Sequence, residues 1–385
     1  MEVSSDKQRL CGRYDLATAV VRIFRGRDVI LPMGEMLVDL SARCDQQGAM
    51  DHLEYFLSRP KFVSKIPCLI LFCSVDPPSN PDRLEGAVLL YEYQLSGIAS
   101  RIFVADYHGG DRTVIAPASL RVQAAFLACE ALFRRGALAV QLTYPGDLPE
   151  SETRFLTDAK STGVTWLWAA SPRSMHGPIL LADTYEDTLS GLGKHTRRNL
   201  RASRRHAEAE LGYMFIAQPV MSKEEFAAFN RASTHPESDE MTAWRYEAMK
   251  LVPDLLFLGI KGASGEWLSV IGGRRSQNKT IVEWQMNRAG LTKSSLSTLM
   301  RSHLFEHEVE HGCRRLYFVG GTPHSMKHSQ AIEPFVDFVA VRSRLLALFL
   351  RRLARPLMGE KTFLVQTLAD PKLKWHSWKK IAPFE

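Results

Sequence analysis

Long apolar runs are absent from this sequence. None approaches the roughly 20 residues that a membrane-spanning helix needs, and the opening MEVSSDKQRL lacks the basic-then-apolar layout of a secretory leader. The six cysteines (Cys11, Cys44, Cys68, Cys73, Cys129 and Cys313) have no metal-like spacing and read as buried thiols of a reducing cytoplasm. A large excess of one sign of charge is absent too: a net +7 over 385 residues favours an anionic partner without specifying one. The expectation is a cytoplasmic protein, at most peripheral to the inner face of a membrane. Its length allows two or three domains, each with its own core.

One order of elements then appears twice. PCLILFCSV from Pro67, GAVLLYEY from Gly86 and IASRIFVADY from Ile98 read as three antiparallel strands. A helix follows Pro117, stops at Gly136 and gives way to the strand ALAVQLTY. In the second half, PDLLFLGIK, EWLSVIGGRR and KTIVEWQMN are followed by the helix SSLSTLMRSHLFEHEVEHG, which closes at Gly312, and by the strand CRRLYFV. A strand that returns after a helix runs parallel to its predecessor through a right-handed crossover. The predicted fold is therefore α/β (α+β): two tandem units, each a mixed β-sheet flanked by helices. Boundaries are placed at 1–150, 151–335 and 336–385, with a polar linker from Gly146 to Gly163 and a basic amphipathic helix and tail at the end.

This order, together with DTYEDTLSGLGKHTRRNLRASRRHAEAELG from Asp183 and RLYFVGGTPHSMK ending at Lys327, resembles the GNAT acyltransferases. The resemblance is to the doubled branch associated with bacterial polysaccharide biosynthesis and similar to the Fem peptidyl transferases. It covers Asp183 to Ser329 by local text and Pro67 to Tyr144 by element order. It implies acetyl-CoA or another acyl-CoA as co-substrate, an amine or hydroxyl acceptor, a ternary complex, and a first unit that shapes the cleft without catalysing. One departure is clear: NRAGLTKSSLST carries Gly290 alone where such enzymes commonly show R/Q-x-x-G-x-G/A.

The residues give this reading its candidate chemistry. Free amides at the start of the second helix, helped by Lys293, Ser294, Ser295 and Ser297, suit a phosphate, although a serine N-cap would look the same. Arg197, Arg198, Arg201, Arg204 and Arg205 fall within an arc of about 120° on one helix face, a stripe fit for phosphate or carboxylate or else a solvated basic face. Glu283, beside Trp284, is the candidate base, with cross-strand pairing to Arg274 or Arg275 as the competing role. His324 and Lys327 lie in the loop after the last strand, where ligands of open sheets gather. The resemblance gives Tyr317 the role of acid toward the departing thiolate; otherwise it belongs to the core.

A second motif competes. His307-Glu308-Val309-Glu310-His311 matches H-E-x-x-H, for which Glu333 is the nearest downstream third ligand to zinc. The second histidine directly precedes the helix end, however, and the repeated pattern already gives this helix a place, so no metal is expected. The segment AVRSRLLALFLRRLARPL from Ala340 either lies on an anionic membrane or closes a core along Val341, Leu345, Phe349 and Leu353. Three other functions stay open: an aminoacyl-tRNA-dependent transferase whose arginines hold RNA phosphates, a zinc hydrolase, and a non-catalytic binding module.

Overall fold

The computed structural model describes residues 20–44, 46, 50–58, 65–74, 83–95, 97–105, 113–145, 166–291, 295–319, 332–358, 363–370 and 373–378. The first half contributes β1 (Val20–Arg25), α1 (Arg27–Ile30), α2 (Gly34–Arg43), α3 (Leu53–Leu57), β2 (Lys65–Ser74), β3 (Arg83–Leu95), β4 (Ile98–Val104), β5 (Val114–Ile115), α4 (Arg121–Arg134) and β6 (Ala139–Pro145). Next come β7 (Trp166–His176), β8 (Ile179–Leu180), α5 (Tyr185–Gly191), α6 (Lys194–Leu211), β9 (Met214–Ala217), α7 (Lys223–Arg231) and α8 (Asp239–Met249). The chain continues with β10 (Leu255–Lys261), β11 (Trp267–Ser276), β12 (Lys279–Asn287), α9 (Leu296–Glu310) and β13 (Arg315–Phe318). It ends with β14 (Ile332–Val341), α10 (Arg344–Met358), α11 (Phe363–Ala369) and β15 (His376–Trp378).

These strands form two mixed sheets flanked by helices, as the repeated pattern implies. One has the order β1-β2-β3-β4-β6-β14-β7-β15, with β5 beside β3; the other runs β8-β13-β12-β11-β10-β9. Alternation along β2 shows why the first is covered on both faces. Cys68, Ile70 and Phe72 join the core under α4, while Leu69, Leu71 and Cys73 join the core under α2, α10 and α11. The second sheet is likewise enclosed. Leu256, Leu258 and Leu316 pack with Leu200, Leu299 and Leu304 of α6 and α9, whereas Phe257, Val270 and Trp284 pack with Phe226 and Phe229 of α7. The five described cysteines are all buried, as expected, and burial pushes the Cys68 thiol up to about 12.

Division by sheet differs from division by sequence at three strands. β7, β14 and β15 come from the chain after residue 150, yet all pair within the first sheet. The reason is edge pairing: β14 covers one edge of β6 from Ala139 to Pro145 and, on its other side, one edge of β7 from Leu167 to His176. Asp337, buried in the middle of β14, accepts hydrogen bonds from Thr143 Oγ1 at 2.8 Å and Thr367 Oγ1 at 3.3 Å. The predicted linker at 146–163 lies outside the described residues.

In α10 the core face is not the predicted one. Leu346, Ala347 and Leu350 pack inward, while Leu345 and Phe349 are 80% and 55% exposed. Val341 is buried, but as part of β14, and the Leu353 side chain lies outside the described residues. Because β14 runs to Val341, the helix starts three residues later and its inward face rotates.

Short α3 from the first half docks on the second sheet. Tyr55 and Phe56 pack with Ala248 and Val252, and the Arg274 guanidinium carbon lies 4.6 Å from the centre of the Phe56 ring. Polar contacts surround this apolar patch. Ser276 Oγ donates to Asp51 Oδ2 at 2.7 Å, His52 Nε2 donates to the Arg275 carbonyl at 3.0 Å, and Trp244 Nε1 donates to Ser58 Oγ at 3.3 Å.

Candidate active site

Two glycines in β11 prepare the site. Pairing between β11 and β12 slips at Gly272 and Gly273, so that Gly272 opposes Trp284, Gly273 opposes Val282, and Glu283 is the extra residue of a β-bulge. Glycine is needed at both positions. A side-chain carbon on Gly272 would strike the Trp284 ring, and one on Gly273 would strike the Ile281 carbonyl. The bulge aims Glu283 at Arg274, whose Nε donates to Glu283 Oε1 at 2.9 Å, and at the hydroxyl of Tyr55, which donates to the other carboxylate oxygen. Both ion-pair partners are buried, at 1% and 8% side-chain exposure. The competing role foreseen for Glu283, pairing with Arg274, is thus present.

Beside the bulge the sheet opens. β12 and β13 pair in parallel from Lys279 to Val282, and one further bond joins Val319 N to the Val282 carbonyl at 2.8 Å. At the far end, Thr234 N donates to the Asn287 carbonyl at 2.8 Å, and Ser233 bridges to Arg288. Between these points, from Trp284 to Met286, β12 pairs only with β11 among the described residues. Among the described residues this stretch of edge is bounded at both ends by backbone hydrogen bonds and takes no strand partner between them.

The start of α9 follows this edge. Ser295 is the N-cap and is exposed, but its Oγ pairs with Thr298 Oγ1 at 2.7 Å and no side chain caps the first amides. Ser297 is half-buried in the first turn. Lys293 and Ser294, predicted to help hold a phosphate here, lie outside the described residues, as do His324 and Lys327. Tyr317 is buried in β13, and its hydroxyl donates to Glu333 Oε1 at 2.8 Å.

The five arginines lie on α6. Lys194, Arg197, Arg198, Arg201 and Arg205 line an open cavity of about 470 Å³ with Ser190 and Glu186. Arg201 pairs with Glu186, and Arg197 Nη1 donates to the Ser190 carbonyl at 2.8 Å. Arg204 is set apart: it pairs with Glu306 Oε2 at 2.6 Å and lies over the Tyr185 ring, tying α6 to the middle of α9. Four of the five arginines therefore share one cavity, while the fifth pairs with Glu306.

The H-E-x-x-H residues are engaged elsewhere. Glu308 is fully buried and accepts from Arg275 Nη2 at 2.7 Å, from Arg275 Nε at 3.0 Å and from the Thr280 hydroxyl. That geometry ties α9 to the sheet and leaves the carboxylate no path to a metal-bound water. Burial, and after it the neighbouring His311, lowers His307 to about 4. No group of three or more His, Cys, Asp or Glu suited to a metal occurs among the described residues.

Sequence reasoning missed Tyr55, which lies 228 positions from Glu283, and the two glycines of the bulge. Nothing near Tyr55 in the sequence signals its partner; the Gly-Gly pair inside a strand was the available sign of a bulge.

No protein-family model matches the chain, and no curated protein matches it. Solved structures similar to it include a tandem GNAT protein from the clavulanic acid biosynthesis pathway, at 10% identity and TM-score 0.46, covering 84% of this chain and 99% of that one. L-PGS from Bacillus licheniformis is similar at 13% identity and TM-score 0.49, over 84% and 96% of the two chains. FemX is similar at 9% identity and TM-score 0.44, over 75% and 95%.

Proposed function

We propose that the chain is an acyltransferase that moves an acyl group from acyl-CoA to an amine or hydroxyl. The observation that carries this reading is the edge of β12 between Val282 and Asn287, which takes no strand partner among the described residues, followed in the chain by the uncapped start of α9. An exposed strand edge accepts an extended amide-bearing chain by backbone hydrogen bonding, and a helix start accepts phosphate. A CoA thioester has both groups in one molecule. Held this way, its thioester sits near Glu283, which takes the proton of the attacking nucleophile, while Tyr317 protonates the departing thiolate. His324 and Lys327 contribute from the segment that follows β13 in the sequence, and Lys293 and Ser294 from the segment that precedes α9.

Calorimetric titration with acetyl-CoA and longer CoA thioesters tests the placement. Binding weakened about tenfold by Ser297→Glu, whose added charge faces the phosphate, is the expected result. Equal binding by the variant removes the donor from this helix start, and no binding of any CoA thioester removes the donor altogether.

The arginine cavity favours a second reading, in which the donor is an aminoacyl-tRNA held by its phosphates. Affinity for RNA would then fall steeply with salt, because each neutralised phosphate releases counterions, whereas a single CoA gives a shallow dependence.

A further inference from the structure

The helix α10 is apolar on two opposite sides. At 100° per residue, Leu346, Ala347 and Leu350 fall on the side packed against the first sheet. Leu345, Leu348 and Phe349 fall on the other, where they are 80%, 59% and 55% exposed. A helix with apolar residues on both sides normally has both sides covered. Here the outer side faces solvent, and these three residues form one patch, unlike the single exposed apolar residues common on protein surfaces.

Charge selects the occupant. The helix sequence RLLALFLRRLARPLM holds four arginines and no acidic residue. Arg344, Arg351 and Arg352 are exposed and have no ion-pair partner among the described residues. A second copy docked about a two-fold axis would set these arginines against their equivalents, which opposes a dimer through this face. The patch is one convex helix side, not a groove, and so fits a flat, yielding surface. No helix of the described chain is long and apolar enough to cross a membrane.

We infer that α10 lies in the surface of an anionic lipid bilayer, with Leu345, Leu348 and Phe349 entering the acyl boundary and Arg344, Arg351 and Arg352 held at the lipid phosphates. The inference is independent of the transferase reading. Bound in this way, the protein keeps the first sheet toward the membrane.

Sedimentation with vesicles tests it, using the full chain and two compositions: phosphatidylcholine alone, and phosphatidylcholine mixed with phosphatidylglycerol. The protein should bind the mixed vesicles about tenfold or more tightly than the neutral ones. Replacing all three apolar residues (L345S, L348S, F349S) should abolish binding while the unfolding temperature and oligomeric state stay unchanged, since the substituted groups are already in water. Arg351→Gln with Arg352→Gln should remove only the preference for anionic vesicles. Absence of binding to anionic vesicles overturns the inference. So does wild-type binding by the triple variant, or a dimer that the triple variant dissolves, which would make this face a protein interface.

Discussion

The two sheets make the same parallel junction and then differ in what lies beyond it. In the first, β4 and β6 pair from Ile102 to Val104; in the second, β12 and β13 pair from Lys279 to Val282. Past Val104 the first sheet is filled by its own chain. β5 takes the next place beside β3, Thr113 Oγ1 donates to the Thr143 carbonyl at 3.0 Å, and the Gln46 side chain joins Val114 and Ala116 at 2.9 Å each. Gln141 closes the remaining gap by accepting from Ala105 N at 3.2 Å. Past Val282 no described segment does the same before Thr234. One order of elements is therefore closed beyond the junction in the first sheet by β5, Gln46 and Gln141, while in the second no described segment takes that place.

The sharpest way to break this contrast is to alter one residue in each junction. Glu283→Gln keeps the shape of the side chain but not its basicity, and should lower kcat by roughly 10²-fold or more with little change in KM. Thr113→Val in the plugged junction should leave kcat unchanged and cost about 1 kcal/mol of stability. Steady-state rates of CoA release and urea unfolding measure the two effects. Wild-type turnover by the glutamine variant would remove Glu283 from the chemistry.

The seat of the first half on the second offers a pH test. Burial, and then the charge of Arg274, lowers the His52 imidazole from 6.5 to about 4. Between those values the unfolded chain binds the proton and the folded chain does not, so stability declines as pH falls from about 6.5 and the loss is complete below about 4. The share due to His52 is on the order of 3 kcal/mol. His303 and His307 are also lowered to about 4 and add to the same window. His52→Asn, compared with wild type in unfolding at pH 7.5 and pH 5, should flatten the dependence in part. An identical slope would deny the interface this role.

Much of this architecture was legible from local pattern. The β-branched and aromatic runs became strands, the glycine-ended helices became α4 and α9, and the cross-strand pairing of Glu283 with Arg274 followed from adjacent strands. What was not legible depends on distance along the chain. Nothing in DHLEYFLSRP announces that Tyr55 reaches Glu283, and nothing in the segment from Ile332 says that β14 returns to the first sheet, because edge pairing is settled only once all strands are placed. The H-E-x-x-H pattern misleads for the opposite reason. Its spacing is local, but the Arg275 that binds Glu308 comes from another element. In α10 the amphipathic period was visible while its phase was not, because the phase depends on where β14 ends.

Glycines at the two junctions should differ in stability as they differ in shape. Gly273→Ala places a methyl group on the Ile281 carbonyl, where only backbone movement relieves it, and should cost about 1–3 kcal/mol while loosening the bulge. Gly86→Ala in the first sheet meets Phe72 Cδ2 at 3.2 Å and the Ile115 carbonyl at 3.3 Å, a far milder overlap that asks the neighbours to give by only a few tenths of an ångström. Its cost should be the smaller, and it should leave donor affinity untouched. Equal costs in urea unfolding would show that the second junction is no more constrained than the first.

The smallest expected effect separates binding from stability at the two helix starts. A glutamate in the first turn interacts favourably with the helix dipole, by about 0.3–1 kcal/mol, whichever sheet the helix serves. Ser297→Glu in α9 and Ala118→Glu before α4 should therefore both unfold at the same or slightly higher urea concentration. Their effects on the donor should diverge, since the proposed placement puts the donor phosphates at the α9 start alone. Calorimetry should show weakened acyl-CoA binding for Ser297→Glu and unchanged binding for Ala118→Glu. If both variants lose affinity, the phosphates are shared between the two units and the first junction is not the inert copy; if only Ala118→Glu does, the donor belongs to the first sheet.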